Sequence, residues 1–256
     1  MKKLMLALAV MAFMAATPLN AQEYGIMFGE LEVTETNATD IFGDGMASYD
    51  ASENTLFLRD GFEYHLSHGL VTIRTGHVFH ILLEGKAEIS ASIECADPII
   101  VETEKEGALK ITSNISGSAL KCLALTLNPD VTLNLLSRNS QREMYALDCE
   151  RFTVNEANLY AEVTTADLAV HTGGMTLNGC WLQKPRGGSV NGAWGGICYA
   201  DGLPAKDVRI VVEGFGIEEY DETSFPVEKV FEKGQILIIK DGKYYDVTGR
   251  EVMMKN

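Results

Sequence analysis

The chain has no apolar run long enough to cross a bilayer, which takes about 20 residues; Leu4 to Ala16 is too short, and no later stretch reaches that length. Basic residues are scarce, 21 Lys and Arg against 36 Asp and Glu, for a formal charge of −15. A field of that sign repels nucleic acid and anionic lipid, which argues against DNA or RNA binding. No cysteine precedes Cys95, so no thiol is available for lipid attachment near the N-terminus. No window of ten or more residues carries apolar positions at helical spacing without a breaker, which excludes long amphipathic helices. Gly-x-Ser-x-Gly, a P-loop and a post-strand Gly-x-Gly-x-x-Gly are all missing, and with them the commonest signatures of hydrolases and nucleotide binders.

What is there begins with a leader. Met1-Lys2-Lys3, the apolar run and Thr17-Pro18-Leu19-Asn20-Ala21-Gln22 have the order of a secretory signal peptide, with cleavage expected after Ala21. Removing residues 1–21 takes away two lysines and no acid, which moves the formal charge to −17. The expectation is an exported protein of the periplasm, cell surface or extracellular space, with no transmembrane segment. Acidity serves solubility, and the remaining length suits one large domain.

A decapeptide organises the rest. Ala119-Leu120-Lys121-Cys122-Leu123-Ala124-Leu125-Thr126-Leu127-Asn128 returns 27 residues later as Ala146 to Asn155, and 23 residues after that as Ala169 to Asn178. Its template is Ala-Φ-x-(Cys/Thr)-x-x-Φ-Thr-Φ-Asn, with Φ apolar. A period of roughly 20–50 residues marks a solenoid or other repeat array. The surrounding segments are short, β-branched and separated by Gly, Asn, Pro or Asp, so the chain reads as all-β. A sandwich has no reason to repeat a decapeptide at near-constant spacing, whereas a parallel β-helix stacks each strand over its counterpart one coil earlier. The Thr, Cys and Asn columns are expected at the inside and corner of such a helix. Asn128, Asn155 and Asn178 suit a left-handed corner. About seven coils would fill residues 50–214, ending with Asp207 to Val211. Residues 24–49 would cap one end, and the segment after Gly214 the other.

The expected layout is a signal peptide at 1–21, a capped β-helix domain at 22–214, a linker at 215–230 and a tail at 231–256. Asp241-Gly242 between alternating apolar runs predicts a β-hairpin in that tail. Five cysteines in an exported chain suggest disulfides. Cys95, Cys122 and Cys149 nevertheless lie 27 residues apart at ladder positions, so buried thiols are the expected state.

Two groups of side chains could carry binding. His65, His68, His77 and His80 have a ligand-like spacing. In strands, though, an offset of three points side chains to opposite faces, so no metal site is expected. The other is the glycine-rich loop from Gly179 to Gly196, which holds both tryptophans of the chain. Trp181 and Trp194 could stack on sugar rings, and Lys184 and Arg186 could pair with uronate carboxylates. Against this, Trp181 could instead fill the core and Trp194 pack under a turn. No catalytic residue is assigned, because no repeat position collects the acids that paired-carboxylate chemistry needs.

Gly29-Glu30-Leu31-Glu32-Val33-Thr34, Ser48-Tyr49-Asp50, Asn54-Thr55-Leu56-Phe57-Leu58, Gly107-Ala108-Leu109-Lys110-Ile111 and Asn178-Gly179-Cys180 resemble a family of secreted bacterial β-helix domains often labelled carbohydrate-binding. The resemblance implies a right-handed parallel β-helix and, for some members, binding of acidic plant polysaccharide with calcium. Ile236 to Val252 is similar to the end of type IX secretion sorting domains, which are usually much longer. The expected fold is therefore all-β, a right-handed parallel β-helix with an N-terminal cap and a C-terminal hairpin tail. The expected function is a non-catalytic module that binds polysaccharide, with calcium as the one cofactor the resemblance allows. The alternatives are a structural or adhesive protein with a protein partner, and a polysaccharide lyase.

Overall fold

The computed structural model describes residues 23–114, 117–138 and 144–213, and strands at 228–232, 235–240, 243–245 and 251–252. The expected signal peptide lies outside the described residues. Every regular element among those described is a strand, and none is a helix long and apolar enough to cross a membrane.

The strands of the first unit are β1 (Glu23–Phe28), β2 (Leu31–Thr34), β3 (Ala47–Asp50), β4 (Thr55–Leu58), β5 (Phe62–Ile73), β6 (Phe79–Leu83), β7 (Lys86–Cys95) and β8 (Ile99–Thr103). They continue as β9 (Gly107–Ser113), β10 (Leu120–Leu127), β11 (Val131–Ser137), β12 (Leu147–Asn155), β13 (Asn158–Val163), β14 (Val170–His171) and β15 (Met175–Asn178). Four more close the unit: β16 (Cys180–Lys184), β17 (Ser189–Asn191), β18 (Gly196–Cys198) and β19 (Asp207–Val212). Parallel, in-register pairing stacks most of them into three ladders. The first ladder holds β4, β6, β8, the second half of β10, the second half of β12, and β15. The second holds the first halves of β5 and β7, then β9, β11 and β13. The third holds the second halves of β5 and β7, the first halves of β10 and β12, and β14. One pass through the three ladders is one coil of a parallel β-solenoid, and the chain completes about five, fewer than the seven expected.

Register makes the core a set of columns. Phe79, Ile99, Leu125, Phe152 and Met175 stack in one, and Ile81, Val101, Leu127, Val154 and Leu177 in the next. Phe79, Ile99, Leu125 and Phe152 are buried. Each such side chain contributes about 1.5–3 kcal/mol by leaving water. Between these columns the threonines face outward: Thr126 and Thr153 are half-buried and Thr176 is exposed. The expected interior Thr column is thus an outer one, because successive residues of a strand alternate faces. Cys122 and Cys149 pair in register and, like Cys95, Cys180 and Cys198, are free and buried. The asparagines also differ from expectation. None of Asn128, Asn155 and Asn178 has a positive φ; Asp130 (65°), Glu156 (43°) and Gly179 (65°), one or two residues later, make the left-handed corner. The asparagines act through their side chains, Asn178 donating from Nδ2 to Asn155 Oδ1 at 2.7 Å.

Antiparallel strands end the stack. At the N-terminus β1 runs against β2 and β5, and β3 against β4, as the expected cap. The Ser-Tyr-Asp and Asn-Thr-Leu motifs build the β3–β4 hairpin. Asp50 accepts from the Ser52 amide and hydroxyl, Asn54 takes φ 53°, and Tyr49 donates its hydroxyl to Asn54 Oδ1 at 2.6 Å. At the other end the direction also reverses. β19 runs antiparallel to β13 and to β16, and β18 antiparallel to β14 and β17. Residues 180–212 are therefore the second cap, and Asp207 to Val211 is not a final coil.

Residues 215–256 form a separate unit. Strands β20 (Glu228–Glu232), β21 (Gln235–Lys240), β22 (Lys243–Tyr245) and β23 (Glu251–Val252) make a four-stranded antiparallel sheet. The expected hairpin is its β21–β22 pair, with Lys240 opposite Lys243 and Asp241-Gly242 between them. The sheet begins at Glu228, inside the stretch read as linker.

Candidate functional site

The second ladder presents a continuous outer face, because its strands stay in register through the coils and into the cap. One row of this face runs Glu63, Glu88, Lys110, Asn134, Tyr160, Arg209, Lys184. Adjacent strands lie about 4.8 Å apart, so Lys110 to Lys184 spans about 19 Å. Arg209 and Lys184 are brought in by the antiparallel β19 and β16, which therefore extend the face as well as close the core. Trp181 belongs to the same face, paired with Val211 on β19 and 37% exposed. It does not fill the core.

Ion pairs fix the polar members. Lys110 Nζ lies 2.9 Å from Glu88 Oε1, and Lys184 Nζ 2.8 Å from Asp207 Oδ2. Arg209 Nη2 is 3.5 Å from the same Asp207 oxygen. The hydrogen bond to Asp207 raises the Lys184 pKa, so its ammonium stays charged. Glu162 pairs in register with Asp207, so the cap end carries two cations and two carboxylates in a chain whose net charge is −15. Rows of amide and hydroxyl groups flank it: Asn158 Nδ2 donates to Thr132 Oγ1 at 3.4 Å, and Asn158 Oδ1 accepts from the Val212 amide at 3.2 Å.

Of the four residues the sequence picks out, Trp181 and Lys184 share this face. Arg186 is exposed on the turn after β16, and Trp194, 51% exposed, lies on the turn between β17 and β18. Tyr160 and Arg209 complete the row and were missed, because they sit 49 positions apart in sequence with no motif around them. Of the four histidines, the side chain of His68 lies outside the described residues. His65, on β5, lies 3.5 Å from Glu63, and His80, on β6, 2.9 Å from Glu102. No three His, Cys, Asp or Glu side chains among the described residues are arranged to hold a metal ion.

A second concave feature follows the bend between the third and first ladders. It is a groove of about 560 Å³ bordered by Lys121, Asp148, Glu150, His171, Thr172 and Gly195, and lined as well by Cys95, Cys122 and Cys149. Two of these thiols, Cys95 and Cys122, are poor nucleophiles. Burial pushes Cys95 up to about 11, and a hydrogen bond with Cys149 together with burial pushes Cys122 well above its usual value.

No family model, curated protein or solved structure matches the chain.

Proposed function

We propose that the chain is an exported, non-catalytic β-solenoid module that binds polysaccharide along the outer face of its second ladder. The observation that carries this reading is the row joining Tyr160, Arg209 and Lys184, with Trp181 beside it. Two large, rigid, amphipathic rings on a continuous sheet face suit stacking against sugar rings, and fixed polar neighbours supply orientation. A ladder of constant pitch suits a polymer better than a small molecule, since each further coil offers the same kind of contact. Lys184 and Arg209 are the cations that would meet uronate carboxylates.

The test is a glycan array probed with the full mature chain, with and without calcium. Retention of a polysaccharide, weakened at least tenfold by Trp181→Ala or Tyr160→Ala, is the expected result. A blank array, or retention indifferent to both substitutions, overturns the reading. Release of unsaturated uronates would favour the lyase alternative. The exposed Trp194 and Leu203 of the cap, the latter 58% exposed, are the features that would support a protein partner instead.

A further inference from the structure

The C-terminal cap closes the three ladders unequally. Beyond the coil that holds β12 and β13, the third ladder adds β14, β18 and β17, and the second adds β19 and β16. The first adds β15 alone. At about 4.8 Å per strand, the first ladder stops one strand short of the second and two short of the third, a step about 5–10 Å deep. Every earlier strand of the first ladder is paired on both sides. Its N-terminal end is closed as well. Tyr49 of β3 donates its N–H to the Ala38 carbonyl at 2.7 Å, and the Ala47 carbonyl accepts from the Ile41 N–H at 2.9 Å. Among the described residues, β15 is the open end of this ladder.

The step exposes backbone as well as side chains. Phe152 donates its N–H to the Gly174 carbonyl at 3.0 Å, and Glu156 donates to the Asn178 carbonyl at 2.8 Å. Alternate residues of a parallel strand bond to opposite neighbours. Gly174, Thr176 and Asn178 therefore face β12, while Met175 and Leu177 turn N–H and C=O to the open side. No strand among the described residues pairs with that side. The Met175 and Leu177 side chains end two core columns and are half-buried, whereas Phe152 and Val154 beneath them are buried. Other free edges of the cap carry features that discourage pairing: a register shift between Leu182 and Lys184 on β16, and a length of three residues in β17. β15 pairs with β12 without a register shift, and its four residues include no charge and no proline.

A polypeptide strand is the ligand whose donors and acceptors alternate at this pitch. A second solenoid does not fit, because β16 stands higher on one side of the step, and β18 and β17 on the other. A single extended segment does. Charge sets its polarity. Glu156 and Glu213, both exposed, stand at the Gly179 end of β15. Glu213 donates its backbone N–H to the Gly179 carbonyl at 2.9 Å, and a Cβ on Gly179 would meet Glu156 Cγ at 2.6 Å. Neither carboxylate has an ion-pair partner among the described residues.

We propose that the open edge of β15 is a protein-interaction site, independent of the polysaccharide face, which takes an extended basic segment of a partner protein as one further strand of the first ladder. Two apolar side chains of that segment, two positions apart, cover Met175 and Leu177. A Lys or Arg at one end meets Glu156 and Glu213. Run antiparallel, as β19, β16, β18 and β17 are, the segment carries its cation just before the first apolar residue.

The experiment titrates the full mature chain into a dye-labelled peptide, Lys-Val-Thr-Val-Ser with both ends blocked, and reads fluorescence anisotropy and amide hydrogen exchange. Saturable binding is expected, with slowed exchange at the Met175 and Leu177 amides. Methylating the two valine nitrogens removes the peptide's donors and keeps its side chains, and should weaken binding at least tenfold. A peptide with Glu in place of Lys should bind at least threefold more weakly at low salt. Met175→Pro removes one outward N–H and none that bonds to β12, at the first residue of a strand, where proline is tolerated. It should weaken the peptide at least tenfold. Trp181→Ala should leave peptide binding unchanged, which separates failure of this site from failure of the polysaccharide face. Absence of saturable binding, equal binding of the methylated peptide, or unchanged exchange at Met175 and Leu177 overturns the proposal. So does concentration-dependent dimerisation of the chain alone that slows the same two amides, which would make a second copy the occupant.

Discussion

Cys122 and Cys149 face each other across adjacent coils, in register, with both thiols buried and unoxidised. Each strand carries its cysteine to the same interior point, so the pair is a consequence of coil stacking. The neighbouring thiol and the loss of water both disfavour a thiolate at Cys122.

Native thiols should accordingly be silent. At pH 8 a thiol-reactive dye should label fewer than one cysteine in the folded chain, and all five after unfolding in denaturant. Rapid labelling of two or more in the native state would contradict this burial.

The same groups make the fold sensitive to alkali. Burial raises Cys95 from 9.0 in the unfolded chain to about 11 in the folded one. Below 9 both states hold the proton and stability is unaffected. Between 9 and 11 only the unfolded state releases it, so stability falls as pH rises through that window. Denaturant midpoints at pH 8.5 and 10.5 should show a decline that Cys95→Ser reduces.

Phe152 and Thr153 are neighbours with opposite fates. Phe152 is buried in the core column, so Phe152→Ala should cost about 3–5 kcal/mol. Thr153 faces outward, and Thr153→Ala should stay within about 0.5 kcal/mol. Urea unfolding of the two variants checks the facing of the repeat.

Gly195 answers to two constraints at once, a φ of +66° and the closeness of His171 Nε2. Gly195→Ala should destabilise by about 1–3 kcal/mol through backbone strain. It should also move the imidazole, visible as altered His171 resonances.

The proposed export predicts a processed N-terminus. Protein secreted by its native host should begin at Gln22, as read by mass spectrometry of the intact chain; a retained Met1 would count against the leader.

The solenoid was legible because parallel, in-register ladders force the same residue types onto each coil, so the decapeptide reported the architecture directly. Facing was misread at the threonines, though Leu125-Thr126-Leu127 contains the answer: alternation places the middle residue outside. The last strand of the second cap was read as a coil because Val208, Ile210 and their neighbours alternate alike in parallel and antiparallel strands, and chain direction leaves no mark on that pattern. The cysteines were placed correctly, since their 27-residue spacing is the coil length itself. The groove, by contrast, sits on the variable third position of the decapeptide. Lys121, Asp148 and His171 occupy it in turn, and reading down that column instead of along the conserved ones would have assembled the row.

The reversal of strand direction at both ends has a consequence for how such a chain can change length. A coil duplicated between Cys122 and Cys149 finds parallel neighbours above and below, and inherits their register. The same coil appended beyond β19 meets strands running the wrong way on two of the three ladders. Lengthening of the solenoid is therefore confined to its middle, while the two caps set where the outer face and the groove begin and stop.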